Sequence, residues 1–184
     1  AIAIANDLGY KLEDISKVLE DFKGVKSRFE FIENNLGVNI VVDFAHTPEA
    51  FENIFKDLPK DKKTYAVYGI TGDRTYDIRK AVGKIAAKYG VFSVITTDDP
   101  KFDTFENISN QIKEGVEENK GDCIVIKDRK EAIKYAISNA KKGDFVFMLG
   151  KGEEDFIKLN GNIKTYYNEK ETIREILKEL WEFL

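Results

Sequence analysis

The feature that most constrains this chain is the regular alternation of short, continuous apolar runs with amphipathic segments. Residues 64–70, 92–96, 123–127 and 144–149 are rich in Val, Ile, Phe and Tyr and too short for buried helices. Between and before them, helical spacing of apolar residues predicts helices at about 48–58, 78–89, 104–119 and 129–141. A strand that is apolar at every position is buried on both faces, and helical crossovers join such strands in parallel with right-handed connections. The expectation is an α/β fold: a doubly wound, mostly parallel sheet with helices on both faces. Upstream, the segments 28–33 and 38–44 flank Asn34-Asn35-Leu36-Gly37, residues suited to a hairpin turn, which predicts an antiparallel edge. Leu12, Ile15, Val18, Leu19 and Phe22 sit at helical spacing ahead of Gly24, and a strand at 164–167 with a helix at 172–183 closes the chain.

Length and composition exclude several function classes. With 184 residues there is room for one domain and a fragment of a second. Lys and Arg number 29 against 33 Asp and Glu, a net charge of −4 with no Arg-rich stretch, which argues against nucleic acid as a partner. Cys123 is the only cysteine, so neither an internal disulfide nor a cysteine metal cage can form, and a reducing cytoplasm is the expected setting. No apolar run approaches the roughly 20 residues that span a bilayer, so no membrane association is expected. The chain opens without Met inside an apolar helical run, Ala1-Ile2-Ala3-Ile4-Ala5, and is expected to be a piece of a longer protein.

In a Rossmann-like sheet, ligands bind beyond the carboxyl ends of the strands, so four loops there carry the functional reading. The first contains Asp43-Phe44-Ala45-His46-Thr47-Pro48-Glu49. Thr47, Pro48 and Glu49 suit a helix start, whereas Asp43 and His46, the only histidine, are not needed for capping. They could reach a ligand or simply complete a polar turn. The second loop, Gly69-Ile70-Thr71-Gly72-Asp73-Arg74, permits close backbone approach and offers a guanidinium for a carboxylate or phosphate. Gly-Lys-Thr and Gly-Lys-Ser are both absent from the chain, so this is not a Walker loop. The third is Asp98-Asp99-Pro100-Lys101, and the fourth Gly150-Lys151-Gly152-Glu153-Glu154-Asp155. Each alone reads equally as a charged turn. Together at one sheet edge they suit a zwitterion such as an amino acid, its ammonium held by carboxylates and its carboxylate by Arg or Lys.

These four blocks closely resemble, in order and spacing, motifs of one branch of the Mur ligases, the UDP-N-acetylmuramoyl-tripeptide synthetases. Residues 43–48 are similar to that branch's Asp-Tyr-Ala-His-Thr-Pro, 69–74 to Gly-Cys-Gly-Gly-Asp-Arg, 98–101 to Asp-Asn-Pro-Arg and 150–154 to Gly-Lys-Gly-His-Glu. The resemblance implies a part in peptidoglycan precursor synthesis. There, ATP activates the D-glutamate carboxyl of UDP-N-acetylmuramoyl-L-alanyl-D-glutamate as an acyl phosphate, and the amine of a diamino acid displaces phosphate. It further implies that residues 25–184 are the C-terminal domain, which brings the amino acid and closes over ATP. Residues 1–24 would end the central domain, whose Walker loop, carbamylated lysine and Mg2+ ligands lie outside this chain. No catalytic residue and no metal ligand is then expected here, the chain alone should be inactive, and the protein should act as a monomer on small molecules.

Carried over by position, the resemblance places Arg28, Asp43 and His46 at ATP, Asp43 against the ribose hydroxyls. It places Arg74, Asp98, Asp99, Lys101, Gly150 and Glu154 around the amino acid, with Arg74 and Glu154 holding its distal end or its carboxylate. Asp99 and Lys101 depart from the Asn and Arg that select meso-diaminopimelate, and Glu153 replaces a His. Lys is not equivalent to Arg at a bidentate carboxylate site, and an added acid favours a bare ammonium. L-lysine or L-ornithine is therefore expected over meso-diaminopimelate, although Lys101 retains a point charge for a carboxylate. The alternatives are a related cyanophycin or folylpolyglutamate ligase, or a non-catalytic ligand-binding module.

Overall fold

A computed structural model describes residues 1–22 and 24–181. Six strands form one sheet: β1 (Glu30–Ile32), β2 (Asn39–Asp43), β3 (Thr64–Tyr68), β4 (Phe92–Ile95), β5 (Cys123–Val125) and β6 (Phe145–Leu149), in the order β1-β2-β6-β3-β4-β5. Only β1 runs antiparallel, pairing with β2 through Glu30↔Val42 and Ile32↔Ile40; every other pairing is parallel. The doubly wound sheet with an antiparallel edge is therefore present. β1 begins later than the apolar pattern suggests, because Ser27 and Phe29 adopt positive φ and turn the chain out of the strand before Glu30.

Helices cover both faces. On one, α3 (Pro48–Phe55), α4 (Tyr76–Lys88) and α5 (Phe105–Glu118) bury Phe51, Phe55, Val82, Ala86, Ile108 and Ile112 against Val41, Ala66, Tyr68 and Phe147. On the other, α6 (Arg129–Asn139) and α7 (Glu169–Trp181) bury Ile133, Ala136, Ile137, Ile173 and Ile176 against Ile40, Val42, Val67, Val146 and Met148. Alternate residues of each strand feed the two cores, which is why the strands read as unbroken apolar runs. The expected end of the last helix at Phe183 lies outside the described residues. At the other end, α1 (Ile2–Asp7) and α2 (Leu12–Glu20) bury no residue, and Leu12, Val18, Leu19 and Phe22 remain exposed.

The expected strand near 164–167 is present as β8 (Ile163–Tyr166), outside the main sheet, where it pairs antiparallel with β7 (Phe156–Leu159), an element the sequence pattern does not suggest. Asn160 and Gly161, both at positive φ, make the turn between them. Among the described residues, no helix is long and apolar enough to cross a membrane. The loops after β2, β3, β4 and β6 all leave the same carboxyl edge, where the connections turn to opposite faces.

Candidate functional site

The loop after β6 sets the site's geometry. Gly150 leaves the strand at φ +106, and its backbone passes so close to the β4 loop that a Cβ there would lie 2.5 Å from Asp98 Oδ2. This path turns the Lys151 side chain inward, where it is fully buried. Its Nζ donates to Asp99 Oδ1 at 2.8 Å and Glu154 Oε2 at 2.8 Å and stands 3.5 Å from Asp98 Oδ1. Burial works against the ammonium, but Asp98, Asp99 and Glu154 outweigh it and hold Lys151 above the ordinary lysine range. Asp99 Oδ1 also accepts the Lys158 N–H at 3.0 Å. Asp98 is buried and accepts no hydrogen bond among the described residues; burial pushes its carboxyl up to about 6, against the pull of Lys151 and Arg129. Three carboxylates thus surround one ammonium.

A second buried cation braces the strand ends. Arg129, at the start of α6, forms a two-pronged pair with Glu169, Nε to Oε2 at 2.9 Å and NH2 to Oε1 at 2.6 Å. It also donates to the carbonyls of Leu149 (2.9 Å) and Thr97 (3.2 Å), tying the end of β6 to the β4 loop. Tyr167 donates to Glu169 from the other side. Burial opposes the guanidinium charge, yet Glu169 raises the group and keeps it ionised.

The β3 loop lies against the β4 loop. Gly72 donates its N–H to Asp99 O at 2.7 Å, in a contact so close that a Cβ on Gly72 would fall 1.8 Å from Pro100 O. Lys101, at positive φ, pairs with Asp73 at 2.5 Å, and that hydrogen bond, with one from Thr71, draws the Asp73 carboxyl down to about 2. Arg74 is exposed and enters no ion pair or side-chain hydrogen bond among the described residues.

On the β2 side, the Asp43 carboxylate accepts the N–H groups of Phe29 and Ala45, both at 2.7 Å, which pins the segment before β1 to the strand end. His46 Nδ1 lies 2.8 Å from Phe44 O; a carbonyl only accepts, so Nδ1 carries the hydrogen, and in the neutral ring Nε2 is the acceptor. The Arg28 guanidinium stacks over Phe44, 5.1 Å from its centroid. Lys26, Ser27, Arg28 and Phe44 form one wall of a cleft of about 400 Å³, and residues 153–156 form the other. Glu153 is engaged by Ser27 and Lys170, which hold its carboxyl below the usual range.

Of the residues singled out in the sequence, Asp98, Asp99, Gly150 and Glu154 are brought together, Arg28 shares a cleft with Glu154, and Asp43 and His46 flank the β2 end. Lys101 sits with Asp73, and Arg74 stands apart in solvent. Sequence reasoning missed Lys151, Arg129 and Glu169. The glycines flanking Lys151 were a usable signal, since they permit a backbone path no other residue follows easily. Nothing local marks Glu169, 40 positions from Arg129.

Residues 27–152 match the family model of the Mur ligase glutamate ligase domain. The chain belongs to the Mur ligase family. This Mur ligase C-terminal domain is 36% identical over 181 residues to the UDP-N-acetylmuramoyl-L-alanyl-D-glutamate–2,6-diaminopimelate ligase of Caldanaerobacter subterraneus, covering 97% of this chain and 37% of that protein. It is 38% identical over 159 residues to the ligase of the same name from Clostridioides difficile, covering 85% of this chain and 33% of that protein. A solved structure of a ligase with that name superimposes with a TM-score of 0.76 at 28% identity, covering 98% of this chain and 37% of the solved one. The chain thus spans about a third of the length of the relatives it matches.

Proposed function

We propose that this Mur ligase domain receives the incoming amino acid in an ATP-dependent ligase that adds a diamino acid to UDP-N-acetylmuramoyl-L-alanyl-D-glutamate in the cytoplasm. The observation that carries the reading is the Lys151 cluster, in which Asp98, Asp99 and Glu154 outnumber the single ammonium at the sheet's carboxyl edge. An excess of carboxylate in a partly desolvated place attracts a cation, and a diamino acid brings two. Asp98, without a hydrogen-bond donor, would accept one ammonium, and Glu154 would reach the same molecule from the cleft. Arg74, free of any internal partner among the described residues, is available for a carboxylate.

The β2 end suits a nucleotide. Arg28 is an exposed guanidinium on an aromatic face, matched to phosphate; Asp43 retains acceptor capacity beyond its two N–H bonds; and His46 Nε2 offers an acceptor. When bound, ATP would supply the phosphoryl group that activates the acceptor carboxyl. Mg2+ would be held mainly by the central domain that the family resemblance implies. The exposed apolar face of α1 and α2 would pack on that domain. The test is amide formation by the full-length protein with ATP, Mg2+, the UDP-dipeptide and meso-diaminopimelate, L-lysine or L-ornithine. ATP-dependent product with one of them is expected; none with any would overturn the reading.

A further inference from the structure

The loop that carries Lys151 and Glu154 has a second side, turned toward the end of β2. Gly152, at φ +53, brings its backbone so close to Phe44 that a Cβ there would lie 2.8 Å from the ring's Cδ2. Arg28 stands over the same ring, so one aromatic side chain touches both the loop and the guanidinium on the nucleotide side. Ser27, the residue before Arg28, is buried and held at positive φ. Its N–H donates to Glu30 Oε2 at 2.6 Å, its carbonyl accepts from Phe44 N at 3.1 Å, and its hydroxyl donates to Glu153 Oε1 at 2.9 Å. Lys170, in the first turn of α7, closes the arrangement by donating to Glu153 and pairing with Glu30 at 2.8 Å.

A left-handed backbone is unfavourable for a residue with a Cβ and persists only where its surroundings fix it. At Ser27 two of the fixing bonds come from residues near by in the edge hairpin, Glu30 and Phe44, and the third comes from the loop after β6. Within that loop, neighbouring carboxylates serve opposite sides. Glu154 pairs with Lys151 in the amino-acid cluster, whereas the charge of Glu153 is taken up by Lys170 and its other hydrogen bond goes to Ser27. The acid at 153 therefore adds no free negative charge to the amino-acid pocket.

We propose that Glu153 is a positioning residue for the nucleotide: by fixing Ser27 it aims Arg28 across Phe44 at the phosphates, while the same loop receives the amino acid through Glu154. This rests on the ligase reading above and adds to it that the loop after β6 organises both halves of the site.

The experiment uses the full-length ligase with Glu153→Ala and with Glu153→Gln, which keeps an acceptor for the Ser27 hydroxyl. Glu153→Ala should raise the KM for ATP roughly tenfold, the scale of a lost hydrogen bond to a charged group, and leave kcat and the KM for the amino acid within about twofold of wild type. Glu153→Gln should stay near wild type in all three. Amide hydrogen exchange at residues 27–29, read by mass spectrometry without any substrate, should quicken in the Ala variant and not in the Gln variant. General damage to the loop would raise the KM for the amino acid as well, because Lys151 and Glu154 stand on the same segment, and that result overturns the inference. An unchanged KM for ATP, a Gln variant as impaired as the Ala variant, or a raised KM for ATP without faster exchange at 27–29 also overturns it and leaves the ligase reading standing. Absence of amide product from the wild-type protein with every diamino acid overturns the ligase reading, and this inference with it.

Discussion

Arg129 and Lys151 both bury a positive charge at the carboxyl edge of the same sheet, yet their surroundings differ. Arg129 makes four hydrogen bonds, two to Glu169 and one each to the Leu149 and Thr97 carbonyls, and its charge is matched by one fully buried carboxylate. Lys151 faces three carboxylates, one of which, Asp98, receives no hydrogen bond among the described residues, and another, Glu154, is about a third exposed. A charge-matched pair tied by four hydrogen bonds holds the frame. A cluster with surplus negative charge and one unserved carboxylate leaves chemistry for something else to complete. Proximity to the sheet edge does not separate a structural cation from one in the proposed binding site; the balance of charge and donors does.

The sharpest way to break this comparison is at Arg129. Arg129→Met leaves Glu169 buried without its cation and should cost about 3–5 kcal/mol in urea unfolding, whereas the double change with Glu169→Leu should recover most of that loss. If the double variant stays as unstable as the single one, Arg129 does more than neutralise Glu169.

Asp98 tests the other cluster through pH. Its folded-state pKa is raised to about 6 from an ordinary 3.8, so the folded protein holds that proton more tightly than the unfolded chain. The stability it contributes is greatest below about pH 4 and is lost as pH rises through 6. Relative to Asp98→Asn, the wild-type protein should lose on the order of 3 kcal/mol between pH 4 and 7. A difference that stays flat across that range would mean that Lys151 and Arg129 keep Asp98 ionised throughout.

Gly150→Ala probes the backbone path that creates the Lys151 cluster. At φ +106, with Asp98 Oδ2 2.5 Å from the new Cβ, it should cost about 1–2 kcal/mol and displace the Asp98 carboxylate, read as a shift in its titration by NMR. The smallest effect is a control remote from both cations. Thr47 Oγ1 caps α3 by accepting Ala50 N–H, and Thr47→Ala should cost about 1 kcal/mol without altering the Asp98 titration.

Much of the fold was legible because its signals are local. Helix periodicity, the Asn34–Gly37 turn and the unbroken apolar strands each reflect burial of residues a few positions apart. The β7 strand is hard to read despite the Asn160-Gly161 turn signal, because Phe156-Ile157-Lys158-Leu159 is only four residues long and shows no alternation. The site was partly legible in the same way. Four loops with unusual residues could be placed at one edge, and Asp98, Asp99 and Glu154 do converge there.

By itself, the sequence determined the alternating elements, the parallel sheet with one antiparallel edge, and the set of charged loops at its carboxyl end, since periodicity and right-handed crossovers leave few other arrangements. Tertiary structure alone decided which charges neutralise each other. Lys151 lies 52 positions from Asp99 and Arg129 40 from Glu169, so their pairing depends on how β4, β6 and α7 come together. It turned Asp99 inward and gave Lys101 to Asp73. Electrostatic energy depends on distance and burial, and neither is written in the spacing of residues along a chain.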